Sequence, residues 1–286
     1  MDRRLLLSLQ SEGMRGHPYR PATLRDAPPA ALEAFRRGIG EPAAERLFVL
    51  PGSRRAVDSR DRSWVTTPTR VIAVAADTIA LWVDDDRGPG IVARIPFDEV
   101  LVLMDLNVLL LGRLEIVGEN GSFVVRYNAV NRPDLREMLV PLRQTFAVAS
   151  GLAPGTRLSP RDLPLKWRNI VQSTDVQPAG HEEVLLVASG VEGPKPRAHG
   201  GVAVLTSREL VIATDPTQYS KQAAYGVDII AVPRTRVLSL SGIRDTVEVR
   251  ILADTPTVLW LSVDAELAGE IRAALGPTFE AVPRIH

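Results

Sequence analysis

VAVLTSRELVIATD, residues 202–215, sets two apolar runs around a short polar turn, and VIAVAADTIALWVD, residues 71–84, does the same. Aligned without gaps, the stretches are offset by 131 residues (202 − 71), with Leu210 on Ile79 and Ile212 on Leu81. Apolar, β-branched runs separated by a few turn residues predict a β-hairpin. The same hairpin twice predicts a duplicated unit, and the flanks extend the duplication. EEVLLVASG (182–190) parallels AERLFVLPG (44–52) ahead of the hairpins. AVPRTRVLSL (231–240) parallels RIPFDEVLVL (94–103) behind them, with Pro233 on Pro96 and Val237 on Val100.

Further on, LLLGRLEIVGENGSFVVRYNAV (109–130) predicts a second hairpin turning at Asn120-Gly121, and TVEVRILADTPTVLWLSV (246–263) is its counterpart. Each unit then changes to helical period. In NRPDLREMLVPLRQTF (131–146), Leu135, Met138, Leu139, Leu142 and Phe146 share one face. Asn131 is the expected N-cap, Pro133 lies in the first turn, and Pro141 predicts a kink or an early end. In DAELAGEIRAALG (264–276), Asp264 is the expected cap, Leu267, Ile271, Ala274 and Leu275 form the apolar face, and Gly276 stops the helix. The unit is thus about seven strands and one helix, present twice. Such a strand set leaves open edges and an apolar face. A mainly β fold of the α+β kind, an antiparallel barrel or sandwich with a helix over one end, covers both.

Seven strands followed by a C-terminal helix resemble the pleckstrin-homology-like superfold. VAVLTSRELVIATD is similar to the strand–turn–strand signature of bacterial PH-like and GRAM-like domains, where it follows an opening strand of the E-VLLV type. The resemblance covers residues 41–146 and 180–280, and the first repeat departs from the signature, with AADTI (75–79) in place of TSREL (206–210). It implies two tandem PH-like partial barrels, each of about seven antiparallel strands capped by a helix. Domains of that family bind phosphoinositides, other anionic lipids, peptides or protein partners, and are not themselves enzymes. The resulting division is an N-terminal extension (1–40), a first domain (41–146), a linker (147–179), a second domain (180–280) and a tail (281–286).

The extension carries Pro18, Pro21, Pro28 and Pro29, and predicts one short helix with ALEAFRR (31–37) as its body and Gly38 as its end. Leu32 and Phe35 lie on one face, so this helix is expected to pack on the first domain or on a partner. The linker is rich in proline and predicts one helical turn at LKWRNIV (165–171), with Trp167 docking on a domain.

Composition narrows the function classes. The 286 residues balance 34 basic against 34 acidic side chains, which argues against a non-specific nucleic-acid binder. The absence of cysteine removes disulfides, thiolate metal sites and a cysteine nucleophile, and fits a reducing cytoplasm. Arginine supplies the basic residues except Lys166, Lys195 and Lys221, a coding bias of GC-rich bacterial type. No stretch has the roughly 20 apolar residues of a membrane-spanning helix, and Leu5–Leu9 is too short for a signal peptide.

The histidines, His17, His181, His199 and His286, stand in no spacing that pairs them with a nucleophile or a second metal ligand. Asp84-Asp85-Asp86 lacks calcium-loop spacing and reads as a solvated turn. Gly88-Pro89-Gly90 opens no helix and matches no dinucleotide or phosphate loop. No enzyme activity, cofactor or metal is therefore expected. The connection after each opening strand is basic: GSRRAVDSRDR (52–62) and EGPKPRAHGG (192–201). In lipid-binding PH domains this loop grips phosphates, so the resemblance marks Arg54, Arg55, Arg60, Arg62, Lys195 and Arg197 as candidates for an anionic ligand. Arginine suits that role through its planar two-donor fork. An exposed loop also carries charge simply because solvent permits it. Two readings result. One is a cytoplasmic, non-enzymatic scaffold engaging a protein partner or copies of itself. The alternative is a peripheral protein at the inner membrane face that binds anionic lipid through these loops.

Overall fold

The computed structural model describes residues 17–56, 64–84, 90–147, 163–176, 184–190, 201–216, 226–244, 246–253, 257–262, 265, 267–269, 271 and 279–280. The strands are β1 (Leu47–Leu50), β2 (Ser53–Ala56), β3 (Trp64–Thr67), β4 (Arg70–Val74), β5 (Thr78–Val83), β6 (Gly90–Pro96), β7 (Val100–Val108), β8 (Leu111–Gly118) and β9 (Ser122–Asn128). They continue as β10 (Val184–Gly190), β11 (Gly201–Thr206), β12 (Glu209–Thr214), β13 (Gly226–Pro233), β14 (Val237–Ile243), β15 (Thr246–Ile251), β16 (Thr257–Ser262) and β17 (Phe279–Glu280). The helices are α1 (Pro29–Gly38), α2 (Arg132–Gln144) and α3 (Leu165–Val171), and residues 265, 267–269 and 271 are helical too. The protein is mainly β, and every described strand pair is antiparallel. The chain divides into two compact units that do not follow chain order: residues 1–99 with 109–142, and residues 100–108 with 143–286.

In the first unit, β1-β4-β5-β6 form a sheet. The β4–β5 hairpin closes where the Ala75 amide donates to the Thr78 carbonyl, 2.8 Å. A proline at its first position starts α1, and its apolar stripe is Ala31, Leu32 and Phe35. That stripe packs on Leu47, Val49, Val71, Ala73, Ala80 and Trp82 of the sheet. Trp82 therefore points into the core beneath α1, an orientation that the repeat alone leaves open. Burying side chains of this size contributes about 1.5–3 kcal/mol each, so the extension is part of the first unit's core. The outer edge of β1 is met by Tyr19, whose amide donates to the Val49 carbonyl (3.0 Å) and whose carbonyl accepts from the Val49 amide (2.9 Å). In the β8–β9 hairpin, Gly112 stands opposite Tyr127, whose ring fills the space a side chain at Gly112 would take. Tyr127 meets Phe48 edge to face at 6.3 Å.

In the second unit, β10-β11-β12-β13 are followed by β7 on the far side of β13, and β16-β15-β14-β17 form a separate sheet. The duplication holds at the level of individual pairs. Val71↔Trp82 and Ile72↔Leu81 in β4–β5 recur as Val202↔Ala213 and Ala203↔Ile212 in β11–β12, at the same offset of 131. Thr78↔Pro96 recurs as Glu209↔Pro233. After each proline, a single 3-10 turn, Phe97–Glu99 or Arg234–Arg236, leads into the next strand at Val100 or Val237. The opening strands match differently from the sequence alignment. Val49↔Val71 corresponds to Ser189↔Val202, an offset of 140 (189 − 49), two residues from the 138 that the sequence suggests. A two-residue slip keeps every side chain on its own face, so the hydrophobic pattern cannot detect it.

Two helix details differ from expectation. The expected N-cap Asn131 lies inside a 3-10 turn (Ala129–Asn131), and the side chain of Asn128 caps that turn by accepting from the Val130 amide, 3.0 Å. Pro141 does not end α2, which runs on to Gln144 with Leu135, Met138, Leu139 and Leu142 buried. In the last helical segment, Leu267 and Ile271 are buried as expected, whereas Asp264, Ala274, Leu275 and Gly276 lie outside the described residues. Among the described residues no sheet closes on itself into a full barrel. No described helix is long and apolar enough to cross a membrane.

Candidate functional site

The expected loop after β1 is partly strand. Beyond Leu50↔Arg70 the Gly52 amide donates to Thr69 Oγ1 (3.0 Å), and β2 then pairs with β3. Arg54 stands opposite Thr66 and Arg55 opposite Val65. These arginines therefore belong to a paired ribbon continuing the β1–β4 ladder, and not to an open loop. Arg60, Arg62, Lys195 and Arg197 lie outside the described residues.

The described polar side chains that do converge gather at the turn of the quoted hairpin. Thr206 Oγ1 accepts from the amides of Arg208 (3.1 Å) and Glu209 (3.0 Å), and its hydroxyl donates to the Glu209 carbonyl (3.2 Å). A hydroxyl closing on its own turn in this way fixes the backbone. Arg208 is then aimed across the turn, where its Nη1 donates to the carbonyls of Gln144 (3.0 Å) and Phe146 (2.7 Å). Those carbonyls end a helix, where acceptors lack intrahelical donors. Beside them Arg143 Nε donates to Glu209 Oε2 at 3.0 Å, with side chains 8% and 0% exposed. Arg143 Nη1 also reaches the Thr174 carbonyl, 3.1 Å. Arg234, behind the same turn, is buried, and loss of hydration pushes its guanidinium below the ordinary arginine value.

A second clasp holds the other end of the hairpin. Lys166 bonds Asp215, the last residue of the quoted stretch, and donates to the Gly226 carbonyl at 2.8 Å. Its ammonium lies 4.8 Å from the centroid of the Trp167 ring, and Trp167 itself is fully buried. The helical turn expected at 165–171 is α3, and Trp167 docks it as expected. Both clasps secure backbone and helix ends. They offer no nucleophile, base and oxyanion donor in mutual reach.

Sequence reading missed Arg143, Lys166, Arg208, Glu209 and Asp215. Part of the signal was in the repeat: Thr206 and Glu209 replace Ala75 and Thr78 at the same offset. Polar residues that only one repeat carries mark contacts that only that repeat makes. Among the described residues no three His, Cys, Asp or Glu side chains gather closely enough to hold a metal. His17 is exposed, and His181, His199 and His286 lie outside the described residues. Comparison with family models, with curated proteins and with solved structures finds no match.

Proposed function

We propose that this chain is a non-enzymatic scaffold of two tandem PH-like modules that engages a protein partner or copies of itself. The strand order supports the modular reading: β1, β4, β5 and β6, then β7–β9 and a helix, parallel β10–β13, then β14–β16 and a helical segment, with the β2–β3 ribbon added in the first repeat alone among the described residues. The observation that carries the functional reading is the joint between β7 of the first repeat and β13 of the second. It runs from Gly226↔Val108 to Ala231↔Leu103. Strand addition between repeats is the same main-chain chemistry by which sheet edges bind extended partners.

Capture from a native lysate, together with light scattering across concentrations, tests it. A reproducible partner or concentration-dependent self-association is expected. Neither appearing overturns the reading. The ribbon bearing Arg54 and Arg55 motivates the lipid alternative. Liposome sedimentation with rising anionic lipid separates the two, because lipid binding abolished by Arg54→Ala with Arg55→Ala favours the membrane. Each basic residue near such a surface contributes about 1 kcal/mol, so several must act together.

A further inference from the structure

The two repeats treat one sheet edge differently. β7 and β14 are counterparts, Val100 matching Val237. Each leads into a turn whose first residue has positive φ, Leu109 at 54° and Arg244 at 53°. On β7, Leu103 stands opposite Ala231 of β13. On β14 the matching residue is Leu240, and opposite it stands Phe279 of β17. The edge that receives β13 over six aligned pairs in one repeat is, among the described residues, covered over two in the other.

The second half of the joint also has a counterpart. β13 corresponds to β6, since Val211↔Ala231 recurs as Ala80↔Arg94 and Ile212↔Ile230 as Leu81↔Ala93. Among the described residues β6 ends its sheet, with no strand beyond it. Among the described residues, one molecule therefore carries an edge like that of β7, paired with β17, and an edge like that of β13 with no strand beside it.

We propose that β17 is a cis cap, and that its departure lets β14 of one molecule pair with β6 of another, repeating the β7·β13 joint. Such a contact is head to tail, so it adds further molecules rather than closing a symmetric pair. Aligned from Val100 on Val237, the existing joint sets the register: Leu240 opposite Arg94, and Ser241 opposite Ala93. A brake is built into β6. The pairing with β5 shifts between Leu81 and Trp82, leaving Val92 as an extra residue that is 61% exposed. A bulge bends an edge strand and weakens its pairing, and Arg94 adds an exposed charge there. The pairing of β13 with β12 shows no such shift.

The chain has no cysteine, so an engineered pair reports without background. Ser241→Cys with Ala93→Cys is placed in the full chain, in a chain ending at residue 276, and in full-length Glu280→Pro. Circular dichroism and a cooperative melt establish folding of each. After mild oxidation, a ladder of disulfide-linked multimers is expected from both uncapped forms, with a mass that rises with concentration. The capped chain is expected to stay at the mass of one molecule. Deleting Val92 in the uncapped chain is expected to raise the multimer yield, since it removes the bulge from the edge strand. If truncation prevents folding, Glu280→Pro decides alone. A folded, uncapped chain without the disulfide overturns the proposal, as does an equal ladder from the capped chain. The inference rests on the scaffold reading. A foreign partner captured by the uncapped chain without the disulfide sinks the inference and leaves that reading standing.

Discussion

Single residues show where this fold is least forgiving. Glu209 is fully buried with Arg143 at 3.0 Å, and removing one partner of such a pair strands the other charge away from water. Glu209→Ala is expected to cost about 3–5 kcal/mol in urea unfolding. The double change Arg143→Leu with Glu209→Leu should recover much of it, because burial of the pair is itself expensive. Gly226 is constrained by backbone. A Cβ there would lie 2.6 Å from the Asn107 carbonyl and 2.8 Å from Pro216 Cγ. Gly226→Ala is therefore expected to lose roughly 1–3 kcal/mol and to loosen the end of β7, measured as faster amide exchange at residues 106–108. Gly40, with φ of 85° and open space around it, is sensitive through its backbone conformation instead.

At the scale of elements, the sequence was legible wherever periodicity alone decides. The paired hairpins, the Asn120-Gly121 turn and the buried faces of α1 and α2 all follow from apolar spacing. Elements held by contacts distant in sequence were not legible. Nothing local distinguishes β7 as a partner for β13, and nothing in GSRRAVD marks a ribbon rather than a loop. The same holds for the candidate site. The basic residues were conspicuous because charge is readable, whereas Arg143, Arg208 and Glu209 look like ordinary surface residues until the fold brings them together. Pro141 tests how far tertiary packing overrides propensity. It lacks an amide for the Glu137 carbonyl, yet α2 continues past it. Pro141→Ala is expected to stabilise by roughly 1–3 kcal/mol, seen as a higher Tm. Phe35 anchors α1 over Trp82, so Phe35→Ala should lose about 3–5 kcal/mol and shift tryptophan emission to the red as water reaches the indole.

On the scale of the whole molecule, duplication is the organising fact, and the differences between repeats carry the specific behaviour. The repeats share pairing register in the hairpins, but the turn of only one carries Thr206, Arg208 and Glu209. The compact units ignore the order of the repeats, since residues 100–108 group with residues 143–286. Cutting the chain at residue 146 separates β7 from β13. Expressed alone, residues 1–146 are expected to aggregate, and co-expression with residues 147–286 to rescue solubility. Equal solubility of the lone fragment would show that β7 needs no partner.

The β7·β13 joint also sets a schedule for synthesis. Val108 leaves the ribosome 118 residues before its partner Gly226 (226 − 108). At a translation rate of about 5–20 residues per second, that apolar strand waits roughly 6–24 s for its partner. During that interval its β13-facing edge is unpaired in the nascent chain, the kind of surface that chaperones cover. Codon choice between residues 109 and 226 should therefore influence yield more than codon choice after residue 233, because only the former lengthens the wait.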